Sequence, residues 1–120
     1  MATILVIDDS TPSRLVFSTA LQSAGYDVVE ASSGHEGLAA YRQRPADLVI
    51  VDIMKPTMNG LETIKDLTHE FSNVKVIAVS GMLGEQSLFS TARRLGARQT
   101  LRKPFDMDEM LNMVRYELEH

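Results

Sequence analysis

The sequence contains no cysteine, no apolar run long enough to cross a membrane, and no excess of basic residues. Without cysteine the chain has no disulfide scaffold, thiolate metal site or thiol catalysis, which is compatible with a reducing cytoplasmic location. No apolar stretch approaches the roughly 20 residues of a membrane span. Twelve basic and sixteen acidic residues leave a net charge of −4. Because phosphate contacts require clustered Lys and Arg, we expect neither nucleic acid nor membrane as a direct partner.

The length and composition of the chain are typical of one globular domain. The chain has 120 residues, of which 44% are hydrophobic and 23% charged. This length is enough for one hydrophobic core and too short for two. Residues 1–7 lack the charged and apolar segments of a secretory signal, and predict a first strand instead. Because we find no internal repeat, low-complexity tract or linker, residues 1–120 are predicted to form one domain.

Five segments have the composition of β-strands. Three are β-branched and almost continuously apolar, as expected for strands covered on both faces: Thr3–Ile7, Asp47–Val51 and Val74–Val79. The other two, Asp27–Ala31 and Arg98–Arg102, are more polar. Polar strands are typical of sheet edges, so these two are predicted to lie at the margins.

Helix signals occur between and after these strands. Thr11 followed by Pro12 predicts an N-cap with proline at the first helical position, and Gly25 predicts the end of that helix. Pro45 and Gly96 predict the ends of the second and fourth helices. Capping-box spacings predict three more helix starts, at Ser33 with Glu36, Asn59 with Glu62, and Asp106 with Glu109.

Alternating strands and helices predict a parallel sheet with right-handed crossovers. With the apolar strands in the centre and the polar strands at the edges, the order is 2-1-3-4-5. This order defines a doubly wound, five-stranded, flavodoxin-like α/β fold with five helices. Ligands of such sheets bind beyond the carboxyl ends of the strands, where the strand order reverses. In this chain that position lies between strands one and three.

Five polar residues stand at that edge of the predicted sheet. Asp8 and Asp9 follow strand one, Asp52 ends strand three, Ser80 ends strand four, and Lys103 follows strand five. Taken singly, each is explained as a turn, a helix cap or a solvated side chain. Because the fold brings all of them to one edge from distant parts of the sequence, a shared site explains them better.

The charges at this edge indicate a chemistry. Two carboxylates 4 Å apart repel by roughly 4 kcal/mol at an effective dielectric constant of 20. Lys103 supplies one compensating charge, and Mg²⁺, which prefers oxygen ligands, would supply two more. Mg²⁺, a carboxylate, a hydroxyl and a lysine together suit phosphoryl transfer. The carboxylate would be the nucleophile, and the product an acyl phosphate.

Four segments in this order resemble the receiver domain of two-component response regulators, and in particular its stand-alone, chemotaxis-regulator-like members. The similarity covers essentially the whole chain. It is carried by Ile4-Leu-Val-Ile-Asp8-Asp9, Asp52-Ile-Met-Lys-Pro-Thr-Met-Asn-Gly60, Val76-Ile-Ala-Val-Ser80-Gly81 and Lys103-Pro104-Phe105.

The resemblance implies a role for each residue of the site. Asp52 would accept a phosphoryl group from a phosphohistidine on a sensor histidine kinase or phosphotransfer protein. Asp8 and Asp9 would help to hold Mg²⁺, with Asp9 coordinating directly beside an Asp52 oxygen and the Met54 carbonyl. Ser80 and Lys103 would each contact a phosphoryl oxygen. The protein would catalyse only its own phosphorylation and dephosphorylation, without turning over a metabolite.

The resemblance also implies a switch. Ser80 would be drawn toward the phosphoryl group, and the surface of helix four, strand five and helix five would then change its preferred target protein. Thr100 stands at the strand-five position that is usually aromatic, so the aromatic rotamer switch is missing. Either the loop moves without swinging a ring, or output runs through another surface. Met113 and Tyr116 are expected off the inward stripe of helix five, as a partner surface would require.

Two further departures lie near the acceptor. Lys55 replaces a usually apolar residue, and we expect it to point to solvent; the alternative is that it strengthens a contact with a phosphoryl group or a partner. Met54 and Met82 stand where the family controls phosphoryl lifetime, and neither side chain can orient a water by hydrogen bonding. Slow hydrolysis of the phosphorylated form is therefore our hypothesis.

Proteins of other classes fit the sequence less well. A flavin mononucleotide carrier needs a Ser-, Thr- and Gly-rich loop after strand one, and a haloacid-dehalogenase-type phosphatase needs a second acid where Met54 stands. A Gly-rich Lys loop for nucleotide hydrolysis is absent. The stronger alternative is a degenerate receiver that binds proteins without phosphorylation. Against it, every residue needed for the phosphoryl chemistry is present.

Overall fold

Strands and helices alternate along the whole chain. The computed structural model describes residues 1–53, 59–81 and 86–120. The strands are β1 (Thr3–Ile7), β2 (Asp27–Ala31), β3 (Leu48–Asp52), β4 (Val76–Ser80) and β5 (Gln99–Arg102). The helices are α1 (Thr11–Ser23), α2 (Gly34–Gln43), α3 (Gly60–Glu70), α4 (Gln86–Leu95) and α5 (Met107–Glu119).

The five strands form one sheet in the order β2-β1-β3-β4-β5, with every neighbouring pair parallel. The predicted fold is therefore confirmed. Every residue of β1, β3 and β4 is buried, whereas β2 is largely exposed. Polar composition identified the edge strands correctly because an edge strand keeps more of its surface in water.

Side chains alternate between the two faces of the sheet and build two cores. On β1, Leu5 and Ile7 join the core beneath α2, α3 and α4, which we call the α2–α4 core. Ile4 and Val6 join the opposite core beneath α1 and α5, the α1/α5 core. The central strands are thus apolar on both faces because both faces carry helices.

The helix starts agree with the capping signals at three positions and differ at the fourth. Ser33 and Asn59 cap α2 and α3, and their side chains accept hydrogen bonds from Glu36 N and Glu62 N. The prediction of Thr11 as the N-cap of α1 is wrong. Ser10 is the cap, because its extended backbone lets its Oγ accept from Ser13 N. Asp106 occupies the N-cap of α5 without a side-chain capping bond.

The helix ends are marked by left-handed glycines. Gly25 follows the C-cap of α1 with φ +96°, and Gly96 follows α4 with φ +123°. Residues with a Cβ rarely adopt this conformation, so both glycines stop their helices as predicted. No helix in the described ranges is long and apolar enough to cross a membrane.

Candidate functional site

The carboxyl edge of the sheet brings together four of the predicted residues. Asp8 follows β1, Asp52 and Ser80 are the last residues of β3 and β4, and Lys103 follows β5. The exposed fractions of Asp8, Asp52 and Ser80 are 1%, 2% and 0%. Buried carboxylates are rare unless they are paired, so their environment requires a compensating charge.

Lys103 provides that charge to two acids at once. Its Nζ lies 2.8 Å from Asp52 Oδ2 and 3.9 Å from Asp8 Oδ2. The Lys103 side chain remains 27% exposed. Lys103 therefore lies between the buried acids and solvent. The two buried carboxylates beside this ammonium present oxygen atoms of the kind that a divalent cation prefers as ligands.

The first turn of α1 fixes the position of Asp8. Asp8 Oδ1 accepts a hydrogen bond from Ser10 N over 2.9 Å, and the Asp8 carbonyl accepts from Arg14 Nη1 over 2.6 Å. Arg14 also pairs with Glu30 on β2 through Nε and Oε1, 3.2 Å apart. Arg14 was not predicted as part of the site. The available signal was its place on the first turn of the helix that follows Asp8 and Asp9.

Ser80, the last residue of β4, has a buried hydroxyl. Its carbonyl accepts from Lys103 N over 2.8 Å, which ties β4 to the segment after β5. Among the residues that the structure describes, Ser80 Oγ has no hydrogen-bond partner. Leaving a buried hydroxyl unsatisfied costs free energy, and functional sites are one place where that cost is found.

Backbone packing against α3 holds Asp52 in place. A Cβ on Gly60 would lie 2.5 Å from the Asp52 carbonyl oxygen and 2.6 Å from Ile53 Cα. The residue at the start of α3 must therefore be glycine for the helix to approach β3 this closely. The close approach fixes the backbone that carries the Asp52 carboxylate.

The residues at this edge fit Mg²⁺ through their carboxylate oxygen donors. In residues 1–53, 59–81 and 86–120, no group of three or more acidic, His or Cys side chains is arranged to hold a metal ion. Mg²⁺ typically binds one or two carboxylates and keeps several waters, so a three-acid cage is not required. Asp9 is partly exposed, while Met54, the predicted carbonyl ligand, lies outside the described residues, as do Lys55 and Met82.

The predicted switch position is tied to α4. Thr100 Oγ1 accepts a hydrogen bond from Arg93 Nη1 over 3.1 Å. Next to it on β5, the Arg102 guanidinium lies 5.0 Å from the ring centre of Phe89. Two arginine contacts therefore link α4 and β5 where an aromatic residue was expected from the family.

The exposure of α5 differs in part from the prediction. Tyr116 is 51% exposed, in agreement with it. Met113 is partly buried against the α1/α5 core, so its predicted place off the packed face is wrong. Met113 lies beside the apolar stripe of α5, and its long unbranched side chain reaches the α1/α5 core from there.

Comparisons with known proteins agree with this geometry. The family model described as response regulator receiver domain matches residues 4–115. The chemotaxis protein CheY of Thermotoga maritima is 35% identical over 115 residues, which cover 92% of this chain and 95% of that protein. The sporulation initiation phosphotransferase F of Bacillus subtilis is 30% identical over 112 residues, covering 93% and 90%.

A solved structure shares the whole architecture. The CheY-like response regulator receiver domain protein of Methanospirillum hungatei JF-1 superposes with a TM-score of 0.92 at 26% identity, covering 99% of this chain and 94% of that one. The fold and the lysine-bridged acids thus define a doubly wound α/β signalling module. The chain belongs to the response regulator receiver domain family.

Proposed function

We propose that residues 1–120 act as a phospho-acceptor domain in which Asp52 receives a phosphoryl group from a phosphohistidine on a sensor histidine kinase or phosphotransfer protein. The observation that carries this proposal is the position of Lys103 Nζ, 2.8 Å from Asp52 Oδ2 and 3.9 Å from Asp8 Oδ2. A buried carboxylate beside a lysine, at the edge where ligands of such sheets bind, is suited to accept an anionic group.

In the proposed step, an Asp52 carboxylate oxygen forms the new P–O bond. The P–N bond of the donor breaks, its electron pair stays on the imidazole nitrogen, and that nitrogen takes up a proton. Little covalent chemistry is required of other residues in such a transfer, so positioning and charge neutralisation dominate the rate.

Lys103 and Ser80 supply contacts for the transferred group. Lys103 already neutralises the acceptor and would shift its ammonium to a phosphoryl oxygen. The buried Ser80 hydroxyl, which has no hydrogen-bond partner within the described ranges, would donate to another. This donation would satisfy Ser80 Oγ only in the phosphorylated state, which gives that state a specific stabilisation.

Mg²⁺ would neutralise the charge that gathers on the acceptor and the transferred oxygens. Asp8 and Asp9 would hold it, together with an Asp52 oxygen and the Met54 carbonyl. The two buried carboxylates, Asp8 and Asp52, support this assignment because carboxylate oxygens are ligands that Mg²⁺ prefers.

An apolar cleft beside Lys103 supports access by a protein donor. The cleft has a volume of about 540 Å³ and includes Val16, Phe17, Phe105 and Met107 in its lining. Leu15 and Val16 on α1 are 59% and 49% exposed. An apolar surface next to the acceptor is what a docking protein needs to exclude water from the transfer.

The output would be a changed surface formed by α4, β5 and α5. Ser80 and Thr100 are the proposed switch positions, and Tyr116 supplies an exposed aromatic side chain for a target protein. Phosphorylation would act by shifting the population of two conformations that differ by a few kcal/mol.

Intact-protein mass spectrometry after incubation with acetyl phosphate and Mg²⁺ tests the proposal. We expect one phosphoryl adduct on the parent chain and none on Asp52→Asn. Asp27→Asn, at the opposite end of the sheet, is the control and should phosphorylate normally. No adduct on the parent, or an adduct that persists in Asp52→Asn, would favour a binding module that works without phosphorylation.

A further inference from the structure

Ser13, on the first turn of α1, contacts the lysine of the site. Its Oγ accepts a hydrogen bond from Lys103 Nζ over 2.9 Å, across 90 residues of sequence. The contact is nearly as short as the 2.8 Å contact between Lys103 and Asp52 Oδ2. Lys103 is thus held from two sides, by the helix and by the acceptor strand.

The Ser13 contact completes a continuous path around the site. Asp8 Oδ1 accepts from Ser10 N over 2.9 Å, and Ser10 Oγ accepts from Ser13 N over 3.3 Å. Ser13 Oγ then accepts from Lys103 Nζ, which also donates to Asp52 Oδ2. The cap of α1, both buried acids and the lysine therefore share one chain of hydrogen bonds.

Ser13 differs from the other partners of Lys103 in being neutral. Asp8 and Asp52 attract the ammonium by charge, and the charge on Asp52 changes when its oxygen becomes part of an acyl phosphate. A lysine ammonium is carried on a flexible four-carbon side chain, so it moves easily when one of its partners changes. The Ser13 hydroxyl is set by the α1 backbone and does not change in the reaction.

We propose that Ser13 is a positioning residue that holds the Lys103 ammonium beside the acceptor before and after Asp52 gains its phosphoryl group. Ser13 acts through Lys103, whose ammonium its Oγ contacts. The inference rests on the proposed function for its effect on rate, whereas its effect on the order of the Lys103 side chain does not depend on phosphorylation.

The first test compares phosphorylation rates with acetyl phosphate and Mg²⁺. Loss of one charge-assisted hydrogen bond in Ser13→Ala should lower the rate constant about tenfold, equivalent to about 1.4 kcal/mol. Ser13→Thr keeps the hydroxyl and should stay within about twofold of the parent. Ser18→Ala removes another α1 hydroxyl, which is buried and makes no hydrogen bond within the described residues, and should leave the rate unchanged. Equal losses in the alanine and threonine variants would overturn the proposal.

The second test asks whether Ser13 acts through Lys103. In a double-mutant cycle, Ser13→Ala should have no further effect on the rate in a Lys103→Ala background. Undiminished slowing in that background would contradict the proposed route, since a purely structural role of Ser13 does not require the lysine.

The third test needs no phosphorylation. In protein labelled with ¹³C-lysine, the Cε and Hε signals of Lys103 should show increased mobility in Ser13→Ala and not in Ser18→Ala. An equally ordered Lys103 in both variants would refute the positioning role. If the parent chain gives no Asp52 adduct while Ser13→Ala still loosens Lys103, the proposed function fails and the positioning role stands.

Discussion

Arg93 on α4 donates a hydrogen bond from Nη1 to Thr100 Oγ1 on β5 over 3.1 Å. One turn before it in α4, Phe89 lies beneath the guanidinium of Arg102, which is also on β5. These contacts connect the proposed output helix to the strand that ends next to Lys103. Thr100 therefore contacts α4 through a hydrogen bond of its hydroxyl. An aromatic residue at this position would instead respond by changing its rotamer.

Thr100→Val should loosen α4 with little effect on global stability. The lost hydrogen bond is near the surface, so the free energy of unfolding should fall by less than about 1 kcal/mol. Amide hydrogen exchange at Ala92, measured by NMR, should accelerate about threefold if α4 opens locally. Thr91→Val is the control, because Thr91 Oγ1 donates to the Ser87 carbonyl of the same helix and so makes a bond within α4. Equal acceleration in both variants would mean that Thr100 does not restrain α4.

Gly60→Ala should destabilise the chain and slow phosphorylation. Its Cβ would meet the Asp52 carbonyl oxygen at 2.5 Å, and overpacking of this kind costs about 1–3 kcal/mol. The cost exceeds the gain of about 1 kcal/mol in helix propensity.

Gly34→Ala is the matched control, since Gly34 is the first residue of α2 as Gly60 is of α3. Its Cβ would meet the side chain of Thr63 and not the backbone that carries Asp52, so Gly34→Ala should destabilise the chain while its phosphorylation stays like that of the parent. Urea unfolding and the acetyl phosphate assay should separate the two variants, and parent-like phosphorylation in Gly60→Ala would be the contrary result.

Arg98→Ala should be more destabilising than a typical surface substitution. Arg98 pairs with Glu117, whose side chain is only 3% exposed and also accepts from Gln99 Nε2 over 2.8 Å. Without Arg98, the buried Glu117 carboxylate loses its ion-pair partner and keeps the neutral Gln99 donor, at a cost of about 3 kcal/mol. Arg42→Ala breaks the exposed Arg42–Glu70 pair and should cost less than about 1 kcal/mol. Similar urea midpoints for the two variants would contradict this ranking.

Mg²⁺ should raise the melting temperature of the parent chain. Binding at 100 times its dissociation constant stabilises the folded state by about 2.7 kcal/mol, or about 10 °C for a domain of this size. Asp9→Ala should remove most of this increase, whereas Asp27→Ala, at the amino end of β2, should keep it. Differential scanning fluorimetry with and without EDTA measures the shift. A full shift in Asp9→Ala would exclude Asp9 as a ligand.

Tyr41 should make the protein sensitive to alkaline pH. Burial, followed by the nearby charge of Asp47, raises the pKa of Tyr41 above its ordinary value of 10.0. Since the unfolded chain ionises first, this contribution to stability is complete below pH 10 and is lost as the pH rises through the folded-state pKa. Melting temperatures above pH 10 should therefore fall less in Tyr41→Phe than in the parent. Tyr116→Phe, at an exposed position, should follow the parent curve.

The sheet could be predicted from sequence because its strands differ so clearly in composition. β3 and β4 are buried on both faces and almost wholly apolar, while β2 is exposed and polar. The same reasoning placed Asp52 and Ser80 at the carboxyl edge, since parallel strands end together. The error at the start of α1 arose from choosing between adjacent hydroxyl residues, Ser10 and Thr11, which only backbone geometry distinguishes.

The contacts made by long side chains could not be predicted in this way. Glu117 stands seven residues after Met110 on the packed face of α5, so its position was available from periodicity. Its charge argued against burial, and its partners Arg98 and Gln99 lie on or beside a separate strand. The bond from Lys103 to Ser13 likewise depends on how far a lysine reaches across the finished fold.

The acids, the Ser80 hydroxyl and the lysine stand at strand ends, whereas the exposed Leu15 and Tyr116 belong to helices. The two sets of residues are separable by substitution. If the proposed phosphorylation holds, a designer could exchange helix surfaces to direct this domain to new kinases or targets while leaving the site residues intact, which would make it a practical scaffold for synthetic signalling circuits.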